Sequence, residues 1–79
     1  HMDGNTGARL ARCFQAVFPK LQGSATESAS TETVEQWDSI HHVTLINVIE
    51  EEFGINIDPE HVEELTNYPA FLRYLEEHQ

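Results

Sequence analysis

The feature that most constrains the fold is the apolar pattern of residues 38–54, DSIHHVTLINVIEEEFG. At about 100° per residue, its large apolar side chains gather on one broad side of a helix. That side carries Val43, Leu45, Ile46, Ile49 and Phe53. Asp38 or Ser39 can cap such a helix, and Gly54 suits the left-handed residue that ends one. The pattern therefore predicts a helix from Asp38 or Ser39 to Phe53, with this side in the core.

The opposite side of this helix is mostly polar and is expected to face outward. It carries Ile40, His41, Thr44, Asn47, Val48 and Glu51. Single exposed apolar residues are common in proteins. Because Ile40 and Val48 lie on the same side close to Ser39, the pair favours a contact surface.

Three further segments are predicted to be helical. The first, in residues 6–21, has an apolar stripe of Leu10, Cys13, Phe14, Val17, Phe18 and Leu21, and Pro19 is expected to end it near Phe18. Asp58 and Pro59 are typical of a helix start and predict a short helix of about two turns. Its inward residues are Val62 and Leu65. Thr66 is expected to cap a last helix, whose inward residues are Tyr68, Phe71, Leu72 and Leu75.

The segment at residues 20–36 is rich in Ser, Thr, Ala and Glu and has no helical stripe. It predicts a long loop, anchored near its end by Val34 and Trp37. No segment shows a convincing strand alternation. We therefore predict an all-α fold, a small antiparallel bundle of four helices, with three main helices, one short third helix and a long loop between helices 1 and 2. At 79 residues the chain is expected to form a single domain, residues 1–79, with residues 1–2 as a cloning remnant.

Charge limits the classes of partner. The formal net charge is -10, and between Leu21 and Leu72 there are eleven acidic residues and no Lys or Arg. Such a surface repels nucleic acid and anionic membranes and attracts proteins with basic patches. An acidic surface that only maintains solubility is the alternative. One cysteine, Cys13, excludes an intramolecular disulfide and is interpreted as a buried core residue. A single cysteine also indicates a reducing compartment, and no apolar run approaches the length of a membrane span. We expect the protein to be cytoplasmic and a monomer.

Two kinds of chemistry are disfavoured by spacing. Ser39 does not lie in a G-x-S-x-G turn, so a hydrolase nucleophile is not indicated. His41 and His42 are consecutive and point about 100° apart, so they do not readily share one metal ion. A helix start, by contrast, offers free N–H groups and a positive dipole end, which favour a phosphate on Ser39.

The ordered motifs of residues 37–77 resemble an acyl carrier protein. Asp38, Ser39 and Ile40 match the D-S-[LI] tripeptide of that family, and EEEF at residues 50–53 matches the end of its second helix. Thr66 and FLRYL at residues 71–75 match the start and body of its last helix, which in that family follows a short acidic helix. The resemblance covers about half of the chain, and its strength lies in the order of the motifs.

The resemblance implies a four-helix bundle that is not an enzyme. Ser39, flanked by Asp38, would carry 4'-phosphopantetheine, transferred from coenzyme A by a separate Mg²⁺-dependent phosphopantetheinyl transferase. The thiol of this arm would hold an acyl group as a thioester for acyl-loading and acyl-processing enzymes of fatty-acid, polyketide or related biosynthesis. The implied docking face for their basic patches comprises Ile40, His41, Thr44, Asn47, Val48, Glu51, Glu60 and Glu63.

Two departures point away from housekeeping fatty-acid synthesis. Gln36 and Trp37 precede Asp38, and His41 and Thr44 stand where that family usually has acids. Asn47 replaces a large apolar residue that often faces the partner. We therefore expect a specialised carrier. Two alternatives stay open: an aminoacyl or alanyl carrier, whose usual G-G-x-S motif is absent, and a helical interaction module whose Ser39 is never modified.

Overall fold

The computed structural model describes residues 5–78. Within this range the chain forms five helices and no strand, which confirms the all-α class. The helices are α1 (Thr6–Val17), α2 (Ser24–Glu27), α3 (Ser39–Phe53), α4 (Pro59–Val62) and α5 (Tyr68–Glu77). The predicted cloning remnant, residues 1–2, lies outside the described residues. None of the described helices is long and apolar enough to cross a membrane.

The long helices α1 and α3 pack against each other through the apolar stripes that the sequence predicts. Leu10 and Phe14 of α1 are fully buried, as are Leu45 and Ile49 of α3. Polar contacts also join the two helices. Arg9 Nε donates to Glu52 Oε2 at 2.8 Å, and an Nη of Arg9 donates to the Glu52 carbonyl at 2.6 Å. The guanidinium also lies 4.4 Å from the centre of the Phe53 ring. Arg9 thus fixes α1 to the last turn of α3, where helix carbonyls lack helical partners.

The starts of α4 and α5 are each capped by a side chain, and one of these two caps differs from the prediction. Asp58 accepts a hydrogen bond from the Glu60 N–H at 3.1 Å, as predicted for the start of α4. The cap of α5 is Asn67 and not Thr66, because the Asn67 side chain accepts from the Ala70 N–H at 2.8 Å. The carbonyl of Thr66 accepts from the Thr31 N–H at 3.0 Å, so Thr66 is bonded to the segment between α2 and α3.

The segment between the first two long helices is more ordered than the predicted loop. It contains the one-turn helix α2, whose Thr26 side chain is buried and contacts Gln15 of α1. An isolated antiparallel bridge then joins Ser30 to Asn67, and the Tyr68 N–H donates to the Ala29 carbonyl at 2.9 Å. The predicted anchors are confirmed, because Trp37 is buried and Val34 packs partly buried against the core.

The centre of the molecule is aromatic. The Phe14 ring meets Trp37, Tyr68 and Phe71 edge to face, with ring centroids 5.4 to 5.6 Å apart. Such geometry adds about 0.5–1.5 kcal/mol per pair beyond the burial of the rings. Tyr68 also donates its hydroxyl hydrogen to the Gly7 carbonyl at 2.8 Å, which joins the ends of α1 and α5.

Cys13 is the buried core residue that its place on the stripe predicts. It is only 4% exposed. Burial, aided by the charge of Glu52, raises the pKa of its thiol to about 11. The side chain is therefore a neutral, poorly reactive thiol at neutral pH.

Candidate functional site

Ser39 is the first helical residue of α3 and does not cap it. The cap is Asp38, whose Oδ1 accepts from the His41 N–H at 2.9 Å. Ser39 itself is exposed, and its hydroxyl makes no hydrogen bond within residues 5–78. The hydroxyl thus stands free at the positive end of a helix of 15 residues. A phosphate ester on this oxygen would meet a favourable field.

Asp38 and His41 are joined by a side-chain hydrogen bond beside this serine. His41 Nδ1 lies 2.8 Å from Asp38 Oδ1. The bond from the His41 backbone N–H, followed by the bond from its ring, lowers the pKa of the Asp38 carboxyl below its usual value. On its other side the His41 ring stacks on Phe18, with 5.8 Å between ring centroids. His41 is therefore held against Phe18, the residue that follows α1, and is less free for a partner than its predicted outward position suggests.

Asp38, Ser39 and His41 do not form a catalytic triad. An aspartate on histidine Nδ1 is the arrangement that a triad requires, but the other ring nitrogen must then meet the serine. Residues two apart on a helix point about 200° from each other. In agreement, the described part of the chain contains no hydrogen bond between Ser39 and either neighbouring histidine.

His42 has both ring nitrogens occupied. Trp37 Nε1 lies 2.9 Å from His42 Nδ1, and His42 Nε2 lies 2.8 Å from the carbonyl oxygen of Val62. An indole N–H only donates, so Nδ1 must accept, and a carbonyl only accepts, so Nε2 must carry the proton. The two partners thus fix one tautomer of His42, which has no free lone pair to act as a base toward Ser39.

Neither Trp37 nor His42 stood among the predicted site residues. The hydrogen bond between them could have been suspected from one feature of the sequence. Trp37 was expected to be an apolar anchor of the loop, and a buried indole N–H needs an acceptor. His42 follows Trp37 by five residues. The spacing alone does not show that the ring faces back toward the indole, which depends on the turn before α3.

A groove of about 440 Å³ begins at Ser39 and runs between α3 and α4. Its lining comprises Thr31, Trp37, Asp38, Ser39, His42, Val43, Val62, Glu63 and Thr66. One residue of the lining, Val43, was predicted to lie in the core, and this prediction is wrong because its side chain is 56% exposed. The reason is that α4 has one turn instead of two and buries no residue completely, so it leaves this flank of α3 uncovered.

The remaining predicted docking residues divide into two groups. Ile40 is 75% exposed, and with Val43 it forms an apolar pair next to Ser39. Thr44, Asn47, Glu51, Glu60 and Glu63 are exposed as predicted. Val48 is different, because it is half-buried and packs against the core. The exposed apolar pair beside Ser39 is therefore Ile40 and Val43, and not Ile40 and Val48.

The described residues offer no obvious metal centre. No group of three or more His, Cys, Asp or Glu side chains is close enough to hold an ion within residues 5–78. The other two described histidines, His61 and His78, both pack against Tyr74, with ring centroids 5.4 and 4.0 Å from it and 6.3 Å from each other. These rings pack α4 against the end of α5.

Comparison with models of protein families, with curated proteins and with solved structures gives no match for this chain. A function must therefore be inferred from the site itself. The site combines a free serine hydroxyl, a positive helix end, an adjoining groove and an exposed apolar pair.

Proposed function

We propose that this protein is a carrier that holds acyl groups on a 4'-phosphopantetheine arm attached to Ser39. The observation that carries the proposal is the free, exposed Ser39 hydroxyl at the capped N-terminus of α3, within the motif WDSI. A helix N-terminus stabilises the phosphodiester that such an attachment creates. The arm would supply a terminal thiol, on which acyl groups are held as thioesters.

The residues around Ser39 suit a protein that is modified by another enzyme. In the transfer, the serine oxygen attacks the pyrophosphate of coenzyme A, adenosine 3',5'-bisphosphate leaves, and a base must take the hydroxyl proton. The lone pair of His42 Nδ1 is engaged by Trp37, and His41 turns away to Asp38 and Phe18. The proposal therefore assigns the base, together with Mg²⁺, to a separate phosphopantetheinyl transferase. Asp38 holds the start of α3 so that Ser39 stays presented.

The surface beside Ser39 suits docking to basic proteins. Ile40 and Val43 offer apolar contact, and Glu63 lies at the groove. In the proposed complex, the exposed acids Glu51 and Glu60 add attraction to Lys and Arg patches. The protein would act as a cytoplasmic monomer that serves a specialised pathway, with α1, α3, α4 and α5 as the four-helix bundle of a carrier. His41 and Thr44 in place of acids, and Asn47 in place of an apolar residue, favour partners other than those of housekeeping fatty-acid synthesis.

The test is covalent loading followed by intact mass measurement. The purified chain is incubated with coenzyme A, Mg²⁺ and a broad-specificity phosphopantetheinyl transferase. The wild type is expected to gain the mass of one phosphopantetheine group, and Ser39→Ala is expected to gain none. Ser28→Ala is the matched control, because Ser28 is also exposed, and it is expected to load like the wild type. An unmodified wild type would favour a helical interaction module.

The cargo is tested on the loaded protein. Incubation with acyl donors and with aminoacyl or alanyl donors, each with its own loading enzyme, separates the two kinds of carrier. Acyl transfer without aminoacyl transfer is expected. The opposite result would assign the protein to aminoacyl or alanyl carriers.

A further inference from the structure

The short helix α4 forms one wall of the groove at Ser39, yet little of it is buried. No residue of α4 is completely buried, and Val62 is only half-buried. At its start, the Asp58 N–H donates to the Tyr74 hydroxyl at 3.1 Å. At its end, the Val62 carbonyl accepts from His42 at 2.8 Å. The end nearest Ser39 therefore depends strongly on one side chain of α3.

That side chain is itself anchored in the core. His42 Nδ1 accepts from Trp37, whose indole is only 6% exposed. The indole stacks on Phe71, with 6.3 Å between centroids and 26° between planes, and meets Phe14 edge to face. A continuous relay thus runs from the aromatic core through Trp37 and His42 to the end of α4.

We infer that His42 is a positioning residue, which holds α4 across the groove from Ser39 by hydrogen bonding as the Nε2–H tautomer. The ring spans two groups that could not bond each other, a donor on Trp37 and an acceptor on Val62. Both bonds are needed, because the first fixes the ring and the second fixes α4. Together the two bonds link the Val62 wall of the groove to the core.

The role of His42 in holding α4 is independent of the proposed function. Its effect on the loading of Ser39 rests on the proposed function. If Ser39 carries an arm, the arm leaves the helix beside this groove, and the transferase must approach the same place. A displaced α4 would then alter the surface that the transferase meets. His42 would influence loading through α4 and Trp37, without contacting the reacting atoms.

The first measurement is on the wild type. Long-range ¹H–¹⁵N NMR spectra identify which ring nitrogen of His42 carries the proton near neutral pH. The Nε2–H tautomer is expected, together with slow solvent exchange of the Trp37 indole N–H. Trp37 is the sole tryptophan, so its indole signal is unambiguous. An Nδ1–H tautomer would overturn the inference regardless of how any variant folds.

The second measurement separates hydrogen bonding from packing. His42→Phe keeps an aromatic ring but removes both bonds, whereas His42→Gln keeps one donor and one acceptor at similar spacing. Amide hydrogen exchange at Glu64 and Leu65, whose N–H groups bond to His61 and Val62 carbonyls, reports on the end of α4. In His42→Phe these amides are expected to exchange roughly thirtyfold faster, as the loss of two net hydrogen bonds implies. His42→Gln is expected to restore most of the protection.

His41→Gln is the neighbour control, because His41 contacts Asp38 and Phe18 and not α4. It is expected to leave exchange at Glu64 and Leu65 unchanged. Equal protection in wild type and His42→Phe would show that packing alone holds α4, and the inference would be wrong.

Loading kinetics distinguish this inference from the proposed function. His42→Phe is expected to lower kcat/KM for the transferase, and His42→Gln is expected to recover it. A wild type that never loads would refute the carrier function while the tautomer and the exchange data still decide the role of His42.

Discussion

Asp38 has two bonds to the same residue, His41, and its negative charge strengthens both. Its Oδ1 accepts from the backbone N–H and from the ring of His41. Charge-assisted bonds at a helix start are stronger than neutral ones, and the helix dipole adds to them. Since Ser39 follows directly, the charge on Asp38 also helps to fix the backbone that presents the candidate attachment oxygen.

We predict that Asp38 makes the stability of the fold sensitive to acid. The pKa of its carboxyl is lowered, chiefly by the bond from the His41 backbone N–H. A group with a lowered folded-state pKa stabilises fully above its unfolded value of about 4, and this contribution is lost as the pH falls through the folded value. Asn also caps helices well but does not titrate. In urea titrations, Asp38→Asn should therefore lose less stability than the wild type between neutral pH and strong acid.

The comparison has a clear negative outcome. If the midpoints of wild type and Asp38→Asn shift in parallel as the pH falls, the bonds to His41 contribute no acid dependence. Asp38→Ala, which removes the cap as well as the charge, is expected to be the least stable of the three at neutral pH.

Helix α3 ends at Gly54, and this end depends on backbone conformation. Gly54 has φ +67° and ψ 35°, and its N–H donates to the Glu50 carbonyl at 2.9 Å. A Cβ at this position would meet no atom within 4 Å, so a substitution costs conformational energy but causes no clash. Residues with a side chain rarely adopt this left-handed region.

We predict that Gly54→Ala lowers the free energy of unfolding by about 1 kcal/mol. Gly54→Asn should cost clearly less, because Asn tolerates the left-handed conformation best among residues with a side chain. Urea unfolding followed by circular dichroism measures both. Equal costs for Ala and Asn would show that something other than the left-handed conformation decides this position.

At the scale of elements, the sequence predicts helices whose apolar residues recur at helical spacing. It misses features that depend on contacts with other elements. The long helices α1, α3 and α5 each have several apolar positions at helical spacing, so tertiary packing strengthens the local pattern. Helix α2 has one turn and a single buried side chain, Thr26, which leaves no stripe to detect. The misassignment of Val43 has the same origin, because its exposure depends on how far α4 extends.

The candidate site was predictable to different degrees for different residues. Asp38 and Ser39 are visible as a helix start, since capping is a local effect. The cap Asn67 was missed because Thr66 is also a suitable residue type, and the choice depends on the bridge between Ser30 and Asn67. His42 was missed because its partners lie in the preceding turn and in α4, and no local pattern brings these together.

Across the whole molecule, the core and the candidate site share residues. Phe14 packs on Trp37 and Phe71, Trp37 bonds His42, and His42 bonds the end of α4. In a chain of 79 residues there is little core to spare for a separate site. Substitutions in this network are therefore expected to affect both folding and the groove.

The strongest surface property is charge, and it leads to a prediction about docking. The chain has a formal net charge of -10, and Glu63 lies in the groove beside Ser39. If the proposed transferase docks there through a basic patch, kcat/KM for loading should fall as salt screens the attraction. Raising the ionic strength from about 0.1 M to about 1 M shortens the screening length from roughly 10 Å to roughly 3 Å. We expect a decrease of about tenfold over this range.

A pair of variants locates the attraction. Glu63→Gln and Glu27→Gln change the net charge equally, but Glu27 lies against Tyr68 and α1, at a different groove. Glu63→Gln should lower kcat/KM at low salt and reduce its salt dependence, whereas Glu27→Gln should behave almost like the wild type. If both variants reduce kcat/KM and its salt dependence equally, only the total charge of the protein matters, and the acids beside Ser39 do not define a docking face. If salt has no effect on the wild type, apolar contact through Ile40 and Val43 would have to carry the docking instead.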